Sequence, residues 1–377
     1  MRVGIVAGEV SGDTLGAGLV SAIRERAPET EFVGICGPKM LQLGVRSLFP
    51  MDRISIMGLD GLVSSLFQIL AIRRALKSEY LRDKPDVFVG IDVPDFNLGL
   101  EARLKASGVP TVHYVSPTVW AWRGYRIHKI RRAVSHMLTL FPFEADYYRR
   151  LDVPVTYVGH PIADQVAVEI DPAVERDRLG IQACRPLIAL LPGSRGSEVR
   201  RLGPLFIDTA NRLAALKPDA QFIVPFANAA TRQLFEGYVS TAGAARLNLI
   251  DGNSRQAIAA ADLALLASGT AALEAALLRT PMVVAYKVSP LTYGLVRLFG
   301  RVTHYSMPNN LLDEPLVPEF IQRNATADNL LRALLGYLDN PEQTRVCVEK
   351  FRGIHDELRR DANRRAAEAI LALIARA

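Results

Sequence analysis

The sequence predicts an α/β protein built from two doubly wound, Rossmann-like domains facing across a cleft. Three observations carry this. Short runs rich in Val, Ile and Leu alternate along the chain with helical patterns, as parallel sheets wound with helices require. Nearly all of these runs are apolar on both faces, the mark of strands in a sheet covered on both sides. The length, 377 residues, is enough for two sizeable cores.

The first set of predicted strands is Arg2–Ala7, Glu31–Ile35, Asp86–Ile91, Thr111–Val115, Met137–Leu140 and Val155–Val158. A polar stretch without a strand, near residues 161–185, reads as a linker. The second set is Leu187–Leu191, Gln221–Val224, Leu247–Ile250, Leu263–Leu266 and Met282–Tyr286. The domains are accordingly 1–165 and 166–345, with 346–377 forming Arg-rich helices that pack across domains or between chains. In such folds the ligand sits beyond the carboxyl ends of the strands, so the residues after each strand are where chemistry is sought.

The formal charge of +6 favours anionic partners without choosing among nucleotides, nucleic acid or a membrane surface. The three cysteines, Cys36, Cys184 and Cys347, are far apart and lack zinc-site spacing, so neither a disulfide frame nor a structural metal is indicated. The chain opens directly on a strand, which leaves no room for a signal peptide and points to a cytoplasmic protein. The segment Ile54–Ile72, ISIMGLDGLVSSLFQILAI, is too polar to span a bilayer, since it carries Asp60, Gln68 and two glycines. Two readings stay open for it: a buried core helix, or a helix at a membrane surface with Arg73, Arg74 and Lys77 near lipid phosphates.

After the first strand comes GEVSGD, Gly8 to Asp13, whose glycines allow close backbone approach at a helix start. It is not the dinucleotide fingerprint, and Glu9 suits a substrate hydroxyl better than a phosphate. After the third strand comes GIDVPDFN, with Asp92, Asp95 and Asn97. This is either a turn with Asx caps or a general base able to take a proton from an alcohol. Asp86 begins that same strand, at its amino end, where a supporting role fits. The stretch HYVSPTVWAWRGYRIHKIRR holds Trp120, Trp122 and five basic residues, Arg123, Arg126, Lys129, Arg131 and Arg132. Without a recognition-helix or RRM pattern it reads as a cationic helix face rather than a nucleic-acid site.

In the second half, Leu187–Leu191 delivers PGSRGSE. Gly193 and Gly196 free the backbone, Ser194 and Ser197 bring hydroxyls, and Arg195 brings a fork suited to phosphate oxygens. A P-loop's GKS/T is lacking, which disfavours ATP hydrolysis. Further on, Ser268-Gly269-Thr270 sits at a second helix start, with Glu274 one turn in, where it can accept two ribose hydroxyls. Phosphate donors together with a carboxylate for a ribose describe a nucleotide-diphosphate site without a metal. In the loop HYSMPNNLLDEPLVPEFIQ, Asn309 or Asn310 reaches the nucleotide and Glu319 a further hydroxyl.

Taken together, AGEVSGD, PDVFVGIDVPDFN, HYVSPTVWAWR, VGHPIAD, LPGSRGSEV, LLASGTAALEAAL and MPNNLL…PLVPEFIQ resemble the lipid-A-disaccharide synthase family, in order and over nearly the whole chain. The resemblance implies an inverting, two-domain glycosyltransferase of the GT-B type, peripheral on the cytoplasmic face of the inner membrane. It implies transfer from UDP-2,3-diacylglucosamine to 2,3-diacylglucosamine 1-phosphate, giving a β(1→6) disaccharide and UDP. It places functional acids on Glu9, Asp86 and Asp95, a UDP-contacting arginine on Arg195, a late-loop amide on Asn309, and membrane contact on the Ile54–Ile72 stretch. Within and beside that stretch, Met57, Leu62, Leu66, Phe67, Leu70, Arg73 and Arg74 are the expected acyl and lipid contacts. No cofactor, metal or nucleic acid is implied, and a homodimer through the C-terminal helices is left open. The rivals are a UDP-sugar epimerase of the same fold, which needs no lipid-facing pocket, and a non-catalytic anionic-lipid-binding protein, which leaves Asp95, Arg195 and Glu274 without a joint purpose.

Overall fold

The computed structural model describes residues 1–54, 62–120, 124–181, 186–242, 245–289, 293–294 and 303–376, with backbone alone at 62–66 and 240–242. The chain divides into two compact units, Met1–Asp164 with Leu358–Ala377, and Gln165–Glu357. The terminal segment is therefore split: the helix Pro341–Leu358 belongs almost wholly to the second unit, and the helix Ala362–Ile374 to the first. There Ala362–Ile374 packs on the helix Val10–Arg24. The Asp164 carboxylate caps its start, accepting the amides of Asp361 at 2.9 Å and Ala362 at 2.7 Å.

Each unit holds one all-parallel sheet. The first runs β3-β2-β1-β4-β5-β6-β7, with β1 Arg2–Ala7, β2 Glu31–Cys36, β3 Arg46–Pro50, β4 Val87–Ile91, β5 Thr111–Tyr114, β6 His136–Thr139 and β7 Val155–Tyr157. The second runs β10-β9-β8-β11-β12-β13, with β8 Leu187–Leu191, β9 Gln221–Phe226, β10 Arg246–Asp251, β11 Leu263–Ala267, β12 Met282–Tyr286 and β13 Glu319–Ile321. Every residue of β1, β4, β8 and β11 is buried, because helices cover both faces of these central strands.

Two strands depart from the sequence expectation. β3 and β13 are edge strands of half-buried, mixed residues, so neither shows the continuous apolar run that marks a covered strand. The stretch read as a strandless linker contains the short helices Pro161–Gln165 and Pro172–Arg178, each opened by a proline whose missing N–H costs nothing in a first turn.

The helix Leu62–Arg82 resolves part of the question its apolar sequence raises. Ile69, Ile72, Leu76 and Tyr80, spaced three and four apart, are buried in the core cluster with Phe88 and Phe96. Tyr80 donates its hydroxyl to the Val33 carbonyl at 2.9 Å. Phe67 and Leu70 face out, 71% and 38% exposed. One helix therefore serves the core on one side and carries exposed apolar surface on another. Among the described residues, no helix is long and apolar enough to cross a membrane.

Candidate active site

In both sheets the chain order reverses at one place, between β1 and β4 in the first and between β8 and β11 in the second. At such a switch point the flanking helices leave in opposite directions and open a crevice beyond the strand ends. The loops singled out in the sequence, after β1, β4, β8 and β11, are the four that border these two crevices.

In the first unit, β1 and β4 pair with Ala7 opposite Ile91, and their loops touch. A Cβ placed on Gly8 would come within 2.7 Å of Val93 Cγ2, so the close approach requires glycine there. The β4 loop is strained: Asp92 and Val93 have φ of 52° and 43°. For a β-branched residue the left-handed region is costly and persists only where the surroundings impose it. Part of that constraint is Asn97, fully buried, which donates Nδ2 to the carbonyls of Asp92 at 2.8 Å and Ile91 at 3.3 Å. The two following residues turn into the helix Pro94–Lys105, whose second residue is Asp95.

Asp95 is open to solvent, its side chain 61% exposed, and its Oδ1 lies 2.9 Å from Arg126 Nη2. Its carbonyl accepts from Arg73 at 2.9 Å. Glu9 is exposed at the N-cap of Val10–Arg24, and its side chain makes no capping bond. Glu9 and Asp95 thus stand on adjacent loops, and among the described residues Arg126, on one oxygen of Asp95, is the one ion-pair partner of either carboxylate.

Asp86 is placed elsewhere. It lies before β4 at the amino ends of the strands, where its carboxylate accepts the Arg2 amide at 2.7 Å while its own amide donates to the Arg2 carbonyl at 2.8 Å. The length of β4 separates it from Asp95, so its observed work is to join β1 to β4. Asp13 is structural too: buried, it accepts the amides of Gly37, Lys39 and Met40 at 2.9, 2.9 and 3.2 Å.

Of the expected lipid contacts, Phe67, Leu70 and Arg74 are exposed. Arg73 is not: its guanidinium lies over the Phe96 ring at 5.3 Å, tied to Asp95, and burial lowers its pKa. Met57 lies outside the described residues, as do the side chains of Leu62 and Leu66. Beyond β6, sequence reasoning passed over Glu144. It is buried in the first turn of Pro142–Arg149 and accepts the Phe141 amide at 3.3 Å, and burial pushes its carboxyl up to about 8.

In the second unit the two loops enclose a cavity of about 360 Å³, within the range of small-molecule sites. Ser194, Arg195, Ser268, Gly269, Thr270 and Glu274 all line it. Gly196 borders a neighbouring hollow with Ser194, Arg200 and Asn228. The helices Gly196–Leu216 and Thr270–Leu277 both start at the cavity, so two positive helix ends converge there. The Arg195 side chain is 74% exposed. Glu274 is bound through Oε1 to Arg255 at 2.8 Å, a partner no sequence signal announced.

Two features differ from expectation. The amides of Ser194 and Arg195 are occupied by Oε2 of Glu198, at 3.0 and 3.2 Å. Glu198 is the third residue of its helix and reaches back over the loop as in a capping box. It packs against Gly193, whose φ of 122° and lack of a side chain make room for it.

The late-loop residues form a second knot rather than an array of ligand-facing groups. Asn309, 2% exposed, gives Nδ2 to Glu319 and to the Val317 carbonyl, and takes the amides of Leu316 and Val317 on Oδ1. Glu319 also accepts the amides of Tyr305 and Ser306 and the Ser306 hydroxyl. Asn310 bonds the carbonyls of His304 and Ser306. The knot reaches the cavity through Ser268, whose hydroxyl donates to the Tyr305 carbonyl at 2.5 Å.

The description lipid-A-disaccharide synthetase fits residues 3–373 of the chain. The chain belongs to the lipid-A-disaccharide synthase family. Its curated relatives include the lipid-A-disaccharide synthases of Azotobacter vinelandii, 49% identical over 100% of this chain and 99% of that one, and Alkalilimnicola ehrlichii, 50% identical over 99% and 98%. It is therefore an enzyme, a UDP-sugar glycosyltransferase of lipid A synthesis. Among solved structures it shares its fold with the glycotransferase of kitacinnamycin, at a TM-score of 0.65 and 16% identity over 99% and 98% of the chains. It shares it equally with a Neisseria meningitidis UDP-GlcNAc 2-epimerase bound to UDP-GlcNAc, at 0.63 and 13% over 99% and 100%. These likenesses place the family's two parallel-sheet units in the GT-B class.

Proposed function

We propose that the chain transfers 2,3-diacylglucosamine from UDP-2,3-diacylglucosamine to the 6-hydroxyl of 2,3-diacylglucosamine 1-phosphate, with inversion. The observation that carries the division of labour is the contrast between the two switch-point sites. One presents carboxylates on adjacent loops, and the other presents a guanidinium and two helix N-termini. Asp95 takes the proton of the acceptor hydroxyl as that oxygen attacks the anomeric carbon. The bond from that carbon to the diphosphate oxygen breaks in the same displacement, and its electron pair leaves with UDP. Arg195, the Gly196 end of the first helix and the Gly269–Thr270 end of the second hold the charge that develops on the leaving group. Glu274 accepts ribose hydroxyls through the oxygen that Arg255 leaves free. Glu9 orients the acceptor sugar beside Asp95.

The exposed Phe67 and Leu70, with the exposed Arg74 a turn away, support contact with an anionic bilayer at the cytoplasmic face of the inner membrane. The experiment is direct. Purified protein given both substrates releases UDP together with the disaccharide 1-phosphate, and Asp95→Asn reduces the rate by at least about 100-fold while leaving UDP binding unchanged. Near-normal turnover by a folded Asp95→Asn protein would move the base to another group, Glu9 first.

A further inference from the structure

We propose that Arg126 is the residue that binds the acceptor's 1-phosphate, and that through its contact with Asp95 it sets the distance between that phosphate and the base. This rests on the acceptor assigned above. Arg126 ends the short turn Gly124–Arg126 that leads into Ile127–Ala133. Its side chain is 20% exposed, so most of it is covered by protein while part still meets solvent. One nitrogen, Nη2, meets Asp95 Oδ1 at 2.9 Å, and among the described residues no other carboxylate comes within ion-pair distance of the guanidinium. Asp95 uses one oxygen for this contact, and its other oxygen has no described donor.

A guanidinium has five N–H donors in a rigid plane and takes a phosphate through two of them while a third serves a carboxylate. Of the two arginines beside Asp95, Arg126 is the one that meets its carboxylate, and its remaining donors meet no ion-pair partner among the described residues. Arg73 lies over the Phe96 ring and gives its Nη2 to the Asp95 carbonyl, with its Nε buried.

The acceptor needs such a group. A hexosamine bound only at its reacting hydroxyl can pivot, and its acyl chains fix it to a lipid phase rather than to the base. Its phosphate, on the anomeric carbon, is its one ionised group, and it is separated by the ring oxygen from the carbon that carries the 6-hydroxyl arm. One side chain that grips the phosphate and also touches the base turns the span of the sugar into the measure that brings the hydroxyl to Asp95. An acceptor without phosphate then loses orientation as well as affinity.

The test compares two acceptors, 2,3-diacylglucosamine 1-phosphate and the same lipid lacking the phosphate, each in neutral detergent micelles. The enzymes are the full-length wild type, Arg126→Ala and Arg126→Lys. The wild type is expected to favour the phosphorylated acceptor in kcat/KM by roughly 10- to 100-fold. Arg126→Ala brings that ratio toward unity with the donor KM unchanged, and Arg126→Lys falls between. An undiminished ratio in Arg126→Ala, both acceptors slowing alike, would show that Arg126 merely supports Asp95 and would overturn the proposal. If Arg126→Ala is too slow to time, the ratio is read from the dissociation constants of the two lipids for Asp95→Asn with and without Arg126→Ala. Failure of the wild type to use the phosphorylated lipid at all would instead overturn the acceptor assignment itself.

Discussion

Asn309 donates from Nδ2 to Oε1 of Glu319 at 2.8 Å, and this contact closes the knot that shapes the loop between Tyr305 and Glu319. Truncating Asn309 leaves the amides of Leu316 and Val317 without acceptors and removes one donor from the half-buried Glu319 carboxylate. Each buried group so orphaned costs about 1–3 kcal/mol. Asn309→Ala is therefore expected to lower the melting temperature by several degrees and to weaken UDP binding together, because Ser268 is tied to the same loop. Asn310→Ala, which removes bonds to two carbonyls only, costs less on both counts. Thermal melts with and without UDP check this. A variant at Asn309 that melts like the wild type but no longer binds UDP would place that amide on the nucleotide.

The αL backbone at Val93 makes the opposite kind of prediction. Holding a β-branched residue there costs of order 1–3 kcal/mol. Glycine relieves that strain, although it adds freedom to the unfolded chain. Val93→Gly is expected to melt at or above the wild-type temperature while kcat falls by roughly 10- to 100-fold, since the turn no longer holds Asp95 in one direction. Loss of stability with kcat preserved would mean that the strain is a packing by-product.

How far this arrangement was legible in the sequence follows from what each residue type reveals by itself. Leu187–Leu191 and Val3–Ala7 are apolar on both faces, so strand, parallel sheet and covering helices follow from the letters alone. The loops after them then mark the switch points without further information. Polar residues carry no such signature of their partners. Asn309, Glu319 and Glu198 have the chemistry of ligand-binding groups, but most of their capacity is taken by backbone amides of their own loops. Asp86 looks like Asp95 in one dimension and differs by lying at the other end of the same strand. Arg255 and Glu144 went unnoticed because their partners, Glu274 and the Phe141 amide, are fixed by the fold or by a helix turn rather than by any motif.

Glu144 supplies a pH signature. Burial raises its carboxyl to about 8 in the folded protein, against an unfolded value near the ordinary 4.3. The folded state therefore holds a proton that the unfolded state has lost across this window. Stability from this group is fully present below about pH 4 and declines as pH rises through about 8. Glu144→Gln keeps an oxygen for the Phe141 amide and cannot ionise. Between pH 5 and pH 9 the wild type is expected to lose on the order of a few kcal/mol more than Glu144→Gln, read from urea melts at each pH. Parallel pH profiles for the two proteins would show that Glu144 ionises as freely when folded as when unfolded.

Glu198 poses the sharpest question about the donor site, because its carboxylate occupies two amides of a loop expected to face a diphosphate. Two effects compete. The carboxylate's charge opposes the incoming anion, while its hydrogen bonds and its packing on Gly193 hold the loop in the shape that aims Arg195. The amides of Ser194 and Arg195 would otherwise be loose at an exposed turn, and ordering that turn on binding costs entropy. The geometric effect is the larger, since the charge is exposed enough to be screened. Glu198→Gln retains an acceptor oxygen and sheds the charge, so it is expected to bind UDP as well as the wild type or slightly better at low salt. Glu198→Ala loses the shape and binds roughly tenfold more weakly. Calorimetric titration with UDP at two ionic strengths measures both. Tighter binding by Glu198→Ala than by the wild type would reverse the assignment, making the carboxylate a resident competitor that the diphosphate must displace from the loop.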